Sequence, residues 1–429
     1  MSNETKRLTR PPHHGHHEAA DFSELFFDLV YVFAVTQLAH HLLGHHDLAG
    51  VIQTIIMFLA VWWAWNFTTW ATNWLNPTRA PNRLMLFAVM LASLIMSASI
   101  PRAFDDRALW FVGAYVAIQV LRSVYLVMAT REERPVLSKA MIPTAVIYAV
   151  TGVLWVAGAI ATSQSRYFWW AGALVIEYAI PLILADRRAD GGRDYHAFQV
   201  TGAHMAERAG LFIIIALGEG ILITGATFAG LTWDGPHVAA MLVAFTGSVA
   251  MWWIYFDVGA KRGSTLIAEH EESGRVARDA YTYAHIPIVA GIIVTAMGDE
   301  MLLAHPTGHL DPAFAVSAFF GSALFLGGTM LFKRITGSVA WWPLSHMVGL
   351  GLFTLAAIWA WFAHPQPLTV GALAVGIMIL VAVWEWGSLH GGWVERGAPI
   401  PAPLKGRAER LMAELEKSKK PVPPGEDRG

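Results

Sequence analysis

The chain contains no cysteine. That excludes disulfides, thiolate metal sites, iron–sulfur clusters and cysteine nucleophiles together. Charge is also scarce. Only 14% of the 429 residues are Asp, Glu, Lys or Arg, against about 25% in an average soluble protein. Neither sign dominates, since 30 basic residues face 32 acidic ones, so nothing points to a nucleic-acid partner. Catalytic signatures are missing as well: there is no Gly-x-Ser-x-Gly, P-loop, His-Glu-x-x-His or dinucleotide fingerprint. No cleavable signal peptide is evident, because residues 1–21 are polar and His-rich and the first apolar run carries charges.

What is present is apolar. Hydrophobic residues make up 55% of the chain and mean hydropathy is +0.45. This composition points to a polytopic membrane protein whose first partner is the lipid bilayer. A helical span needs about 20 predominantly apolar residues. Twelve runs qualify, near 23–43, 49–70, 84–102, 108–129, 141–160, 167–185, 206–227, 237–259, 281–303, 312–332, 343–363 and 369–390. No strand-length alternation is present, so helices must satisfy the backbone inside lipid. The expected fold is an all-α polytopic integral membrane protein.

The basic residues orient these runs. With the N-terminus inside, 25 of them fall in cytoplasmic segments, and Arg102, Arg107 and Arg166 fall outside. Such a bias predicts cytoplasmic N- and C-termini. Residues 1–22 read as a polar tail, 186–205 as a cytoplasmic linker, and 391–429 as a charged, Pro-rich tail with a short surface helix possible at 406–418.

Three local matches each pair a span with the sixth one after it. Trp62-Trp63-Ala64-Trp65 matches Trp252-Trp253-Ile254-Tyr255, and Val175-Ile176-Glu177-Tyr178 matches Val383-Trp384-Glu385-Trp386. Glu24-Leu25-Phe26-Phe27 answers Glu207 with Leu211-Phe212. These matches predict two parallel six-helix repeats, 23–185 and 206–390, related by an axis along the membrane normal.

Charged side chains inside a span are costly and call for a partner or a role. Glu24 and Asp28 lie one turn apart on one helix face, where they could bind a cation or share a proton. Arg122 shares the depth of Asp28, which makes a helix-locking ion pair the competing reading. Glu219 lies near the bilayer midplane between Gly218 and Gly220, which permit close helix approach or a local break. It is the leading candidate for a protonatable or cation-binding carboxylate, with a buried structural bond as the alternative. Glu177 and Glu385 are mid-span candidates at matched repeat sites. His204, Glu207, Arg208, Asp257 and His285 could form an interfacial cluster. His346 opens the eleventh span, and Asp299-Glu300 closes the ninth. The histidines of residues 13–17 and 40–46 suit a metal by chemistry, but they lie on opposite sides of the membrane, and no metal or cofactor is expected. Trp62, Trp63, Trp70, Trp74, Trp110, Trp169 and Trp170 sit toward span ends, as interfacial belts do.

Three stretches resemble the bacterial low temperature requirement protein A family: Ser23-Glu24-Leu25-Phe26-Phe27-Asp28-Leu29-Val30-Tyr31-Val32, His204…Glu207-Arg208…Leu211-Phe212…Leu217-Gly218-Glu219, and Tyr283…His285-Ile286-Pro287-Ile288. The resemblance covers most of residues 22–390. It implies a multi-pass protein of the bacterial inner membrane, in a family named for a cold-growth phenotype, and it carries over no catalytic residue. The residues themselves favour a proton- or cation-coupled secondary transporter of an unknown small solute or ion. A cation channel is one alternative: Phe22-Ser23-Glu24 partly resembles the first-helix motif of the lysosomal potassium-channel family, with Glu in place of Asp. A membrane enzyme or sensor acting at the cytoplasmic interface is the other.

Overall fold

The computed structural model describes residues 7–10, 20–189, 202–257, 273–336 and 342–389. The 406–418 helix, the histidines of residues 13–17 and most of the 186–205 linker lie outside them. The described residues form twelve long helical units and no strand. These are α1 (Phe22–Gly44), α2 (Leu48–Trp74), α3 (Ala80–Ser99), α4 (Ala108–Thr130), α5 (Pro135–Ile160), α6 (Ser163–Ala189), α7 (Gly202–Ala229) and α8 (Gly235–Tyr255). Unit α9 joins Ser273–Ala277, a π-helical segment Arg278–Tyr283, and His285–Ala304; α10 joins Pro312–Val316, a second π-helical segment Ser317–Gly321, and Ser322–Ile335. Units α11 (Leu344–Ala363) and α12 (Pro367–Leu389) complete the chain.

Eleven of these units are long and apolar enough to cross a membrane among the described residues. The other is α6, at the position of the sixth expected span. The protein is an all-helical polytopic membrane protein. Aspartates set several helix starts. Asp21 closes a capping box with Glu24 on α1, and Asp47, Asp234 and Asp311 accept backbone amides at the starts of α2, α8 and α10. The α5 helix runs unbroken through Pro143 and Gly152, as membrane helices allow when neighbours cover the freed carbonyl.

The packing order repeats along the chain. In the first set, α1 packs on α2 and α3, α4 on α2, α3 and α5, and α6 on α2 and α5. In the second set, α7 packs on α8 and α9, α10 on α8, α9 and α11, and α12 on α8 and α11. The two sets meet where α1 and α2 pack against α7 and α9. Apolar side chains such as Val153, Val175, Leu222 and Phe362 point outward from the bundle, where lipid contact keeps them from water. The tryptophan belt is only partly realised. Trp110 and Trp169 are exposed, but Trp62, Trp63, Trp74 and Trp170 are buried. Trp62 is held inside because its indole N–H donates to the Thr282 carbonyl at 2.9 Å.

Helices α9 and α10 approach closely at Gly291. A Cβ there would lie 2.5 Å from the Phe325 amide nitrogen and 2.7 Å from the Gly321 carbonyl oxygen. Both obstacles are backbone and cannot rotate away. Gly291→Ala should therefore cost about 1–3 kcal/mol by overpacking. Gly327, with open space at its Cβ position, supplies the control. Thermal unfolding in detergent should drop for Gly291→Ala and not for Gly327→Ala; equal behaviour would refute the close approach.

Candidate functional site

Among the described residues, the largest concentration of buried charge sits where α1, α2 and α7 meet, at the end of the bundle where α1 begins. One helical turn separates Glu24 from Asp28 on α1, and the same spacing separates His204 from Arg208 on α7, so each helix presents two polar groups to the other. The Arg208 guanidinium donates to Asp28 at 2.6 and 3.1 Å and lies 3.2 Å from Glu24. Trp65 of α2 donates its indole N–H to Asp28 at 2.8 Å, onto the oxygen that also takes the 2.6 Å bond from Arg208. His204 lies 3.1 Å from Glu24 and 3.3 Å from Asn73. All four ionisable side chains are at most 1% exposed.

A fifth ionisable group completes the cluster, and it comes from the tail. Arg10 is 4% exposed. Its guanidinium reaches Glu24 at 3.2 Å and donates to the Thr72 and Leu75 carbonyls. Residues Arg7 to Arg10 form a strap across the ends of α2 and α4. The Arg10 amide donates to the Trp74 carbonyl, and the Asn76 amide donates to the Leu8 carbonyl. The Leu8 and Thr9 amides and the Thr9 hydroxyl all donate to Glu133, in the turn between α4 and α5. Partial burial pushes the Glu133 carboxyl up, but these hydrogen bonds and the Arg7 charge outweigh it and hold the group below its ordinary value.

This geometry corrects several expectations. Asp28 does not pair with Arg122; Arg208 takes that place. Arg122 instead lies over the rings of Phe67 and Tyr148, at 5.6 and 5.5 Å, and donates to Gln119 and to the Ala64 carbonyl. From the expected interfacial cluster, His204 and Arg208 join the junction, and Glu207 stays at its margin, accepting the Ala20 amide at 3.2 Å. His285 lies elsewhere, bonded to the Tyr255 hydroxyl and the Ala280 carbonyl, each at 2.8 Å. Asp257 acts electrostatically on Lys333.

The two mid-span acids of the matched repeat sites each have a built environment. Glu177 on α6 accepts from the Tyr115 hydroxyl, from Thr151 at 2.7 Å and from the Trp155 indole at 3.1 Å. Gln119 bridges Tyr115 to Arg122. Glu385 on α12 accepts directly from Lys333 of α10 at 2.6 and 2.7 Å. The same ammonium lies 3.3 Å from His346 and donates to the Ile254 carbonyl at 3.2 Å. Lys333, one residue past the expected tenth span, is 1% exposed. Its place in the last turn of a span was the signal that it could turn inward.

Glu219 stands apart from all of these. It is buried at 7% exposure. Its carboxylate has no hydrogen-bond or ion-pair partner among the described residues. The helix does not break around it: α7 is continuous, Gly218 faces open space, and a Cβ at Gly220 would make ordinary contact with Ala296. Near the first loop between helices, His41 bonds Gln53 and stacks on His45. The described residues hold no group of three or more His, Cys, Asp or Glu side chains arranged for a metal ion.

Residues 19–383 match the family described as bacterial low temperature requirement A protein, LtrA. The chain belongs to the LtrA family. It is also 37% identical over 376 residues to an uncharacterized protein of Rhizobium meliloti (strain 1021), an alignment covering 86% of this chain and 90% of that one. No solved structure matches it. The LtrA match takes in the Glu24–Asp28 helix, the His204–Arg208 helix and the Lys333 helix together, and it excludes the Arg7–Arg10 strap.

Two outcomes follow for this LtrA protein. Asp28→Asn leaves the buried Arg208 charge short of one partner and should cost about 3 kcal/mol. A double variant, Asp28→Leu with Arg208→Met, should recover part of that loss in thermal unfolding; a double variant no better than Asp28→Asn would count against the pair. The strap should respond to acid. A carboxyl held below its unfolded value adds stability above that value, and the gain is lost as pH falls through the lowered one. Protection factors of the Leu8 and Thr9 amides in hydrogen exchange should therefore hold at neutral pH and fall below about pH 4.3, the ordinary Glu value. Glu133→Gln should lower them at neutral pH; unchanged protection would show that Glu133 does not hold the strap.

Proposed function

We propose that this LtrA-family protein is a proton- or cation-coupled secondary transporter of a small solute, with Glu219 binding the coupling ion. The observation that carries this reading is the isolation of Glu219. A carboxylate in the membrane interior is costly without a counter-charge, and Glu219 has none among the described residues. A proton or a transported cation is the partner it lacks. It stands on α7, the helix that also joins the two sets through Arg208.

The matched packing supports reading 23–185 and 206–390 as two parallel halves. Arg122 of α4 donates to the Ala64 carbonyl of α2, and Lys333 of α10 donates to the Ile254 carbonyl of α8. Ala64 and Ile254 are the third residues of the matched Trp-Trp motifs. Each half thus ties its fourth helix to its second at the same place. Parallel halves rocking about a shared axis are a common way to alternate access. The junction of Asp28, Glu24, Arg208, His204 and Arg10 would then act as the latch between them. The excess of basic residues in the segments on this side supports reading the latch as cytoplasmic.

Proteoliposomes with an imposed proton or sodium gradient test the assignment. Glu219→Gln should lower gradient-driven flux at least ten-fold while the variant stays folded by thermal unfolding. Undiminished flux would remove Glu219 from the mechanism. Unitary current steps in a planar bilayer would replace the transporter with a channel.

A further inference from the structure

We infer that a cavity lined by α8, α9, α10 and α12 in the second half is a sodium-binding site centred on Asp299. This site is separate from Glu219 and from the charged junction, and it does not depend on the transport reading.

Its walls follow from local sequence. Thr295 and Asp299 lie one turn apart on α9, so both face the same side. Gly298, between them, leaves room for α10: a Cβ there would lie 2.6 Å from the Ser317 hydroxyl. Gly321 does the same from the other helix, where a Cβ would meet the Thr295 hydroxyl at 2.7 Å. The π-helical segment Ser317–Gly321 shifts the register of α10, and Ala318 and Ser322 both line the cavity. Such segments recur at functional sites because they re-aim side chains within a helix. Gly371 of α12 and Met251 of α8 close the remaining sides. The space is about 20 Å³, enough for a single water-sized occupant.

Three oxygen-bearing side chains line this space without a protein partner. The Thr295 hydroxyl is buried with no hydrogen bond. Ser322 is 4% exposed, and neither its hydroxyl nor the Asp299 carboxylate has a side-chain hydrogen bond or ion pair among the described residues. Asp299 is half-buried, and a carboxylate within a span without a counter-charge costs free energy, as does a buried hydroxyl without a partner. One occupant that satisfies all three must be positive and must prefer oxygen. An oxygen-only donor set selects hard cations. A single carboxylate balances a monovalent ion, whereas calcium takes six to eight oxygens and magnesium a near-ideal octahedron. Sodium meets both requirements in a cavity of this size. A proton would neutralise Asp299 but would not coordinate the hydroxyl oxygens of Thr295 and Ser322.

The test uses the full chain purified in detergent. Thermal unfolding is followed as NaCl replaces choline chloride at constant ionic strength. A ligand that binds the folded state raises the transition saturably. The wild type should show a saturable rise of several degrees in sodium and a smaller one in potassium. Asp299→Asn should abolish the sodium response, and Ser322→Ala should shift its midpoint at least five-fold to higher sodium. A sodium response lost in Glu219→Gln but kept in Asp299→Asn would belong to the coupling site and overturn the proposal, while Glu300→Gln, outside the cavity lining, should respond like the wild type. Asp299→Asn removes an unpaired charge, so its transition in choline should not fall below that of the wild type and its fold can be verified there. A wild type equally stable in sodium and choline would overturn the proposal, as would a sodium response that survives Asp299→Asn. Stabilisation by acid alone, without sodium dependence, would overturn it in favour of a proton.

Discussion

The contact between Asp28 and Arg208 sets the terms for the rest of the molecule. Two charges fully out of water are favourable only when their geometry is good and their remaining hydrogen-bonding capacity is met. Here Trp65 and Glu24 supply what is left over, and Arg10 brings the local total to two positive and two negative groups. The pair therefore fixes more than two side chains. It sets the height of α1 against α7, and α2 must present Trp65, Thr72 and Asn73 at that height. The two six-helix sets share this register because the charges allow no other.

A second joint lies deeper and uses no ions. The π-helical segment Arg278–Tyr283 departs from ordinary helical bonding, and its carbonyls find partners on α2. Trp62 donates to the Thr282 carbonyl and Asn66 to the Tyr281 carbonyl, while Trp70 donates to the Thr282 hydroxyl. Backbone groups out of water must be paired, so an irregular stretch can persist only against such a wall of donors. His285, stacked 6.5 Å from Trp62 and bonded to the Ala280 carbonyl, belongs to this joint. Its role is to hold the segment in shape. Trp62 of the Trp-Trp motif is thus explained by the helix it faces, while Trp63 stacks on Tyr178 of α6 at 3.9 Å.

The fold was legible in the sequence because lipid imposes a length and a composition on each span, and the distribution of basic residues constrains how many spans there are. The ends moved by a few residues, as at α2, which reaches Trp74. Partner choice was not legible. Depth alone could not tell that Arg208, counted at a span edge, would reach Asp28 while Arg122 would lie among aromatic rings. Helices at equal depth still face different ways, and only packing decides which. Arg10 was hidden for another reason: it lies in a stretch whose polarity reads as solvated tail, and nothing local marks a strap. Glu219 was legible because one carboxylate in a long apolar run needs no partner to be noticed. Asp299 was visible too, but its significance depends on Thr295 and Ser322, and Ser322 lies on a different helix.

The span of sequence across the Asp28–Arg208 pair bears on how the protein is made. The two residues are 180 positions apart. At ribosomal speeds of about 5–20 residues per second, roughly ten to forty seconds separate their synthesis. During that interval α1 must enter the bilayer carrying two carboxylates whose main counter-ion does not yet exist. Arg10, made before α1, is available throughout. The strap that closes the finished bundle thus also supplies the first cationic partner available to α1, and it keeps its contact with Glu24 after α7 arrives.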